Sequence, residues 1–120
     1  MCYLLLQGLV QLDMVRDISC QEVAGLIKTS APLTLVDVRE DWEVEICAID
    51  GALHIPLGDI ARRLDEIGTD KPVAVLCHHG VRSRHAAMFL AAQGVKDVFN
   101  IAGGIEKWAI DIAPEMSRYE

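Results

Sequence analysis

Two apolar runs dominate the chain: Leu33 to Val38, "LTLVDV", and Val73 to Cys77, "VAVLC". Both are rich in β-branched residues and lack a helical period. Breakers precede them, Ala31-Pro32 before the first and "GTDKP" before the second. Runs of that length and kind predict strands covered on both faces. Elsewhere the spacing lengthens. Ser19 and Glu22 stand in capping-box register, with Ile18 and Val23 at the positions of a hydrophobic staple, so a helix is predicted to begin there with Val23, Leu26 and Ile27 on one face. "ALHIP" predicts a short strand ending at Pro56, after which Ile60, Leu64 and Ile67 recur at helical spacing. Ser83 to Gln93 predicts another helix, with Ala86, Ala87, Phe89, Leu90 and Ala91 ahead of a stop at Gly94. "DVFNI" predicts one more strand, and "GGIEKWA" a glycine turn entering a short helix that carries Trp108. Strands alternating with helices imply an α/β domain with a largely parallel sheet.

The length of 120 residues matches one domain with a single core. At 52% apolar and 24% charged the composition is globular. A net charge of -7 argues against a general nucleic-acid binder, which needs clustered Lys and Arg to displace counterions from phosphates. One local exception changes the picture. Arg82 and Arg84 stand with His78, His79 and His85, and a basic spot on an acidic protein suggests a small anionic ligand. The four cysteines, Cys2, Cys20, Cys47 and Cys77, are scattered and lack C-x-x-C spacing, which favours reduced thiols in a cytoplasmic setting. No stretch approaches the roughly 20 apolar residues of a membrane span. Residues 1–14, opening "MCYLLLQGLVQL", read as an apolar extension laid on the domain or on a partner, with 15–120 as the domain proper. A signal remnant or an upstream translation start stays open for that segment.

In parallel α/β sheets, ligands bind beyond the carboxyl ends of the strands, and Cys77 falls there. The backbone N–H groups of His78 through Ser83 are expected to curl around its sulfur, aided by the positive end of the helix beginning near Ser83. Gly80 gives that loop the φ values a tight cradle needs. An ordinary thiol is only about 3% thiolate at pH 7, so a cysteine nucleophile requires such donors. The plainer reading of a lone strand-end cysteine is a small buried apolar residue. The two histidines and two arginines that follow make poor core filler and favour the nucleophile. Zinc has nominal ligands in Cys77, His78, His79, His85 and His54. Adjacent residues do not give the separated spacing of structural zinc sites, so no metal is expected. A cysteine-phosphatase loop places Arg six positions after Cys. Here arginines follow Cys77 at the fifth and seventh positions, and a ring one residue smaller suits a single sulfur better than a tetrahedral phosphate.

"LVDVRE" (35–40), "DGALHIPL" (50–57), "CHHGVRS" (77–83) and "NIAGGIEKWA" (100–109) resemble, in order, the motifs of a single-domain rhodanese, a sulfurtransferase. The resemblance covers about residues 18–112 and rests most specifically on C-x-x-G-x-R-S. It implies a central five-stranded, mostly parallel sheet flanked by helices. It also implies Cys77 as the nucleophile, with His78, His79, Gly80, Val81, Arg82 and Ser83 as the loop that binds substrate and persulfide. No cofactor is implied beyond a covalent persulfide on Cys77. The partners implied are a small anionic sulfur donor such as thiosulfate and a thiophilic acceptor: cyanide, a thiol or a protein.

Arg82 and Arg84 are expected to attract the donor, Asp37 and Arg39 to brace the loop, and His78 and His79 either to line the entrance or to stand solvated. Where many members read Gly-His-Ile, this chain has Cys47-Ala48-Ile49, so no role for that histidine carries over. Cys47 is either a second thiol or, more simply, a buried structural residue. His54 is expected to be a satisfied structural histidine, and Trp42 and Trp108 core and rim packing. A non-catalytic rhodanese-like binding module is the alternative, though such a module is expected to lack the nucleophile. A cysteine phosphatase or arsenate reductase of related fold needs the longer loop.

Overall fold

The computed structural model describes residues 15–120. Its elements are β1 (Val15–Ile18), α1 (Cys20–Lys28), β2 (Thr34–Asp37), α2 (Asp41–Ile46), β3 (Leu53–His54), a 3-10 turn (Leu57–Asp59), α3 (Leu64–Ile67), β4 (Val73–Leu76), α4 (Val81–Ala92), β5 (Val98–Ile101) and α5 (Gly104–Asp111). The five strands form one sheet in the order β1-β5-β4-β2-β3, and every neighbouring pair is parallel. The predicted apolar extension, residues 1–14, lies outside the described residues. No helix among the described residues is long and apolar enough to cross a membrane.

The apolar runs lack alternation because each strand face has its own cover. Val36, Val38, Val73 and Val75 pack on one side against Ala86, Ala87 and Leu90 of α4, joined by Ile60 and Ile67. Leu35, Ala74 and Leu76 face the other way, into Val23 of α1 and Ile105 and Trp108 of α5. Successive side chains therefore enter two separate cores. The start of α1 is as predicted: the Ser19 Oγ accepts the Glu22 N–H at 3.0 Å, and the Glu22 carboxylate accepts the Ser19 N–H at 3.3 Å. Ile18 and Val23, the two staple residues, are both buried.

Four details differ from the sequence expectation. Strand β1 was not predicted, because its "VRDI" puts two charged residues on an exposed edge. Helix α2, "DWEVEI", is too short to display a period. The helical spacing of Ile60, Leu64 and Ile67 resolves into a 3-10 turn followed by the single-turn α3. Helix α4 starts at Val81, two residues before the predicted Ser83, because Gly80 takes φ 106° and turns the chain directly into the helix.

Candidate active site

Cys77 leaves the central strand β4 at its carboxyl end and is only 1% exposed. Its Sγ accepts the Gly80 N–H at 3.0 Å, so the cradle closes within four residues of chain. That is tighter than the expected curl of N–H groups from His78 through Ser83, because α4 has already begun at Val81. The N-terminus of α5 approaches the same loop from the other side. The Ile105 N–H donates to the Cys77 carbonyl at 2.9 Å and the Glu106 N–H to the His78 carbonyl at 3.2 Å. Gly104 makes this approach possible: at φ +60°, any Cβ would overlap the Cys77 and His78 carbonyl groups. Two helices thus begin against one loop: the first-turn N–H groups of α5 are taken by the Cys77 and His78 carbonyls, and the Gly80 N–H, at the start of α4, is the donor turned to the Cys77 sulfur.

Side chains from distant elements hold the loop from outside. The buried Asn100 of β5 donates through Nδ2 to the Gly80 carbonyl at 3.1 Å and accepts the Ser83 hydroxyl on Oδ1. Ser83 is thereby a buried anchor. Arg84 pairs with Asp17 of β1, and both are about half exposed. Arg82 donates from both terminal nitrogens to the Glu43 carboxylate, at 2.7 and 2.8 Å. Glu43, only 3% exposed, also accepts the Glu40 N–H at 2.9 Å and the Tyr119 hydroxyl at 2.8 Å. The Arg82 guanidinium, helped by the Glu40 and Tyr119 donors, holds the Glu43 carboxyl down at about 2 against the opposing effect of burial. Arg82 in turn is raised, chiefly by the Glu43 hydrogen bonds. The basic spot seen in the sequence is therefore two ion pairs, and the charge of each arginine is opposed by a carboxylate.

Asp37 and Arg39 do not reach the Cys77 loop through a hydrogen bond. Their buried ion pair closes at 2.7 Å, and Arg39 donates onward to the Cys47 carbonyl at 2.8 Å, the Glu43 carbonyl at 3.3 Å and the Tyr119 hydroxyl at 3.1 Å. Their bracing is indirect. Arg39 fixes α2, and α2 carries Glu43 to Arg82.

His78 is buried while His79 is exposed. The His78 ring lies between the rings of His79, at 3.9 Å, and Tyr119, at 4.1 Å, and its Nε2 has no hydrogen-bond partner. Burial, then the neighbouring His79, pushes the His78 pKa down, which leaves the ring neutral near pH 7. Val81 is exposed at the outer rim. His54 bonds the Arg39 carbonyl at 2.7 Å, away from the sulfur, as a structural histidine does. Cys20, Cys47 and Cys77 are free and buried, and Cys47 lies beside the Arg39 guanidinium. Trp108 is core, whereas Trp42 is exposed and meets Tyr119 edge-on at 5.5 Å. Among the described residues no three His, Cys, Asp or Glu side chains converge as a metal site.

Sequence reasoning missed Glu43, Tyr119, Asn100, Asp17 and Gly104. The adjacent pair Gly103-Gly104 was the one local signal, since two glycines opening a helix mark a close backbone approach. The other four residues are brought to the loop only by the fold.

A parallel, doubly covered sheet with a cysteine on a tight loop at the end of its central strand defines a class: α/β domains that hold a thiol beyond the carboxyl end of a central strand. Within that class, the chain belongs to the rhodanese-like domain family, whose profile matches residues 19–111. It is similar to YtwF of Bacillus subtilis, 35% identical over 101 residues that cover 84% of this chain and 97% of that protein. It is also similar to the thiosulfate sulfurtransferase GlpE of Actinobacillus pleuropneumoniae, 37% identical over 75 residues, or 62% of this chain and 69% of that one. Two further Bacillus subtilis relatives are matched over only 51% and 59% of their lengths. Among solved structures, a rhodanese-related protein from Thermoplasma volcanium superposes with a TM-score of 0.74 at 32% identity, covering 82% of this chain and 95% of that one. Three further relatives are also named thiosulfate sulfurtransferase GlpE, from Pseudomonas syringae and two strains of Coxiella burnetii.

Proposed function

We propose that the chain moves a sulfane sulfur through a persulfide on Cys77. The Cys77 thiolate attacks the outer sulfur of a donor such as thiosulfate; a new S–S bond forms, the donor's S–S bond breaks, and sulfite leaves with the electron pair. An acceptor nucleophile, cyanide or the thiolate of a small molecule or protein, then attacks the outer persulfide sulfur and returns Cys77 as thiolate.

The observation that carries this reading is the size and closure of the loop. Cys77 accepts the Gly80 N–H within a four-residue turn, and its sulfur is almost wholly covered. So enclosed a sulfur suits a donor that presents one slender terminal sulfur, and suits a bulky phosphate ester poorly. With Arg82 and Arg84 paired to carboxylates, the Gly80 N–H and the N-terminus of α4 take the larger share in stabilising the anion. The three free cysteines among the described residues fit a reducing, cytoplasmic setting.

Intact mass after incubation with thiosulfate tests the proposal. Wild type is expected to gain about 32 Da, one sulfur atom, and to lose it on addition of cyanide. Cys77→Ser should gain nothing and show no thiosulfate:cyanide turnover. A wild-type protein that hydrolyses aryl phosphates and never gains that mass sinks the reading, and one that does neither supports a binding module.

A further inference from the structure

The segment after α5 turns back over the active loop. The Ala113 N–H donates to the Trp108 carbonyl at 3.0 Å, and Arg118 pairs with Glu106 in the first turn of α5. Tyr119 then enters the site with two separate attachments. Its ring stacks on His78 at 4.1 Å and 19°. Its hydroxyl donates to Glu43 Oε1 at 2.8 Å and accepts from Arg39 at 3.1 Å. That one oxygen links the Asp37–Arg39 ion pair to the Glu43–Arg82 pair.

His78 directly follows Cys77, and Arg82 lies at the far end of the same loop. The buried His78 Nε2 has no hydrogen-bond partner, so the imidazole is oriented by the stacked rings of Tyr119 and His79 together with the Tyr119 backbone carbonyl. His79 belongs to the loop itself, so Tyr119 supplies the outside support. At the other end, Arg82 is fixed by Glu43, and one of the four hydrogen bonds that fix Glu43 comes from the Tyr119 hydroxyl.

We propose that Tyr119 is a positioning residue for sulfur transfer, fixing both ends of the Cys77 loop, His78 through its ring and Arg82 through its hydroxyl and Glu43. The proposal rests on the sulfurtransferase reading. Its chemical sense is alignment: attack on a sulfane sulfur requires the thiolate in line with the bond that breaks, and small displacements of a nucleophile carry large rate penalties.

Two variants of the full chain test it. Tyr119→Phe keeps the ring over His78 and removes only the hydroxyl. Thiosulfate:cyanide turnover is expected to fall about tenfold in kcat, with KM for thiosulfate changed by less than about twofold. The His78 ring, followed by NMR, should titrate as in wild type. Tyr119→Leu removes both attachments. Turnover should fall by about a hundredfold, and His78, losing its stacked cover, should titrate closer to an ordinary histidine. A purely structural role would lower the melting temperature without separating the hydroxyl effect from the ring effect. Wild-type kinetics in Tyr119→Phe overturns the proposal, as does an unmoved His78 titration in folded Tyr119→Leu. If Tyr119→Leu does not fold, the Tyr119→Phe kinetics decide. Failure of the sulfurtransferase reading is a distinct result, since wild type would then gain no sulfur, and the His78 titration would still show whether Tyr119 fixes the loop.

Discussion

The Glu43 carboxylate closes on the Arg82 guanidinium through two hydrogen bonds of 2.7 and 2.8 Å, spanning 39 positions of sequence. The contact joins α2 to the first turn of α4 and so fixes where the Cys77 loop ends. Glu43 is buried and Arg82 partly exposed, which makes the pair costly to break from the arginine side: removing Arg82 leaves a carboxylate without its charge partner. Arg82→Met is therefore expected to destabilise the fold by about 2–4 kcal/mol and to reduce turnover strongly. Glu43→Gln, of the same shape, should cost less, about 1–2 kcal/mol, because Arg82 can turn toward water. Urea unfolding of the two variants checks the order, and a larger loss in Glu43→Gln would contradict it.

Acid should unfold the protein partly through the same residue. The carboxyl of Glu43 titrates at about 2 in the fold, chiefly because of the Arg82 hydrogen bonds, against an ordinary value near 4.5. A carboxyl with a depressed folded pKa stabilises above its unfolded pKa, and that contribution is lost as pH falls through the folded pKa. The window is therefore roughly pH 5 to 2. Denaturant midpoints measured across it should fall with pH in wild type and fall less steeply in Glu43→Gln. Parallel slopes would show that other carboxylates carry the acid sensitivity.

Tyr119 gives the mirror-image expectation in alkali. Burial, against the lowering effect of the Arg39 hydrogen bond and helped by the hydrogen bond to Glu43, pushes its phenol up to about 12. An acid whose folded pKa is raised stabilises below its unfolded value and loses that contribution as pH rises through the folded one, here from near 10 to about 12. Stability should decline across that window in wild type and less so in Tyr119→Phe. Ultraviolet phenolate absorbance supplies the direct check: one tyrosine should ionise late in wild type, and the late step should vanish in the variant.

What could be read from the sequence follows from where each signal is stored. Leu33–Val38 and Val73–Cys77 announced β2 and β4 because strands buried on both faces write their environment continuously into adjacent positions. Edge strand β1 could not do so: Arg16 and Asp17 face solvent, and Asp17 is spent on Arg84. Cys77 to Ser83 was legible as a candidate site because it is contiguous. Its supports were not, since Glu43, Asn100 and Tyr119 are ordinary polar or aromatic residues whose meaning depends on what the fold sets opposite them. The arginines show the cost of that gap. Counted along the chain they look like free positive charge; in the structure each faces a carboxylate.

Asn100 offers a test of the loop's inner support. Its amide nitrogen satisfies the Gly80 carbonyl, and its oxygen accepts from Ser83; all three groups are buried. Asn100→Ala strands a buried carbonyl and a buried hydroxyl, for an expected cost of about 2–4 kcal/mol. Asn100→Asp keeps the acceptor for Ser83 but replaces the donor to Gly80 with an oxygen facing an oxygen. Both variants should slow persulfide formation, measured as the rate of mass gain with thiosulfate. Normal loading in either would mean that Gly80 holds its position without this bond.

Gly104 should be the least replaceable glycine among the described residues. Its φ of +60° is already unfavourable for an L side chain, and a Cβ there would overlap the backbone carbonyls of Cys77 and His78. Neither carbonyl can yield, because each is hydrogen-bonded to the first turn of α5, to Ile105 and Glu106. Gly104→Ala must therefore push α5 away from the Cys77 loop, and a loss of more than about 3 kcal/mol together with loss of sulfur loading is expected. Two other glycines separate the causes. Gly94→Ala meets nothing within 4 Å but sits at φ +100°, so it should show backbone strain alone, about 1 kcal/mol. Gly58→Ala has open space and no positive φ, and should change stability by less than about 0.5 kcal/mol. Chemical denaturation of the three variants gives the ranking. If Gly104→Ala matched Gly94→Ala, the contact between α5 and the loop would be looser than the structure shows, and α5 would not be holding Cys77 in place.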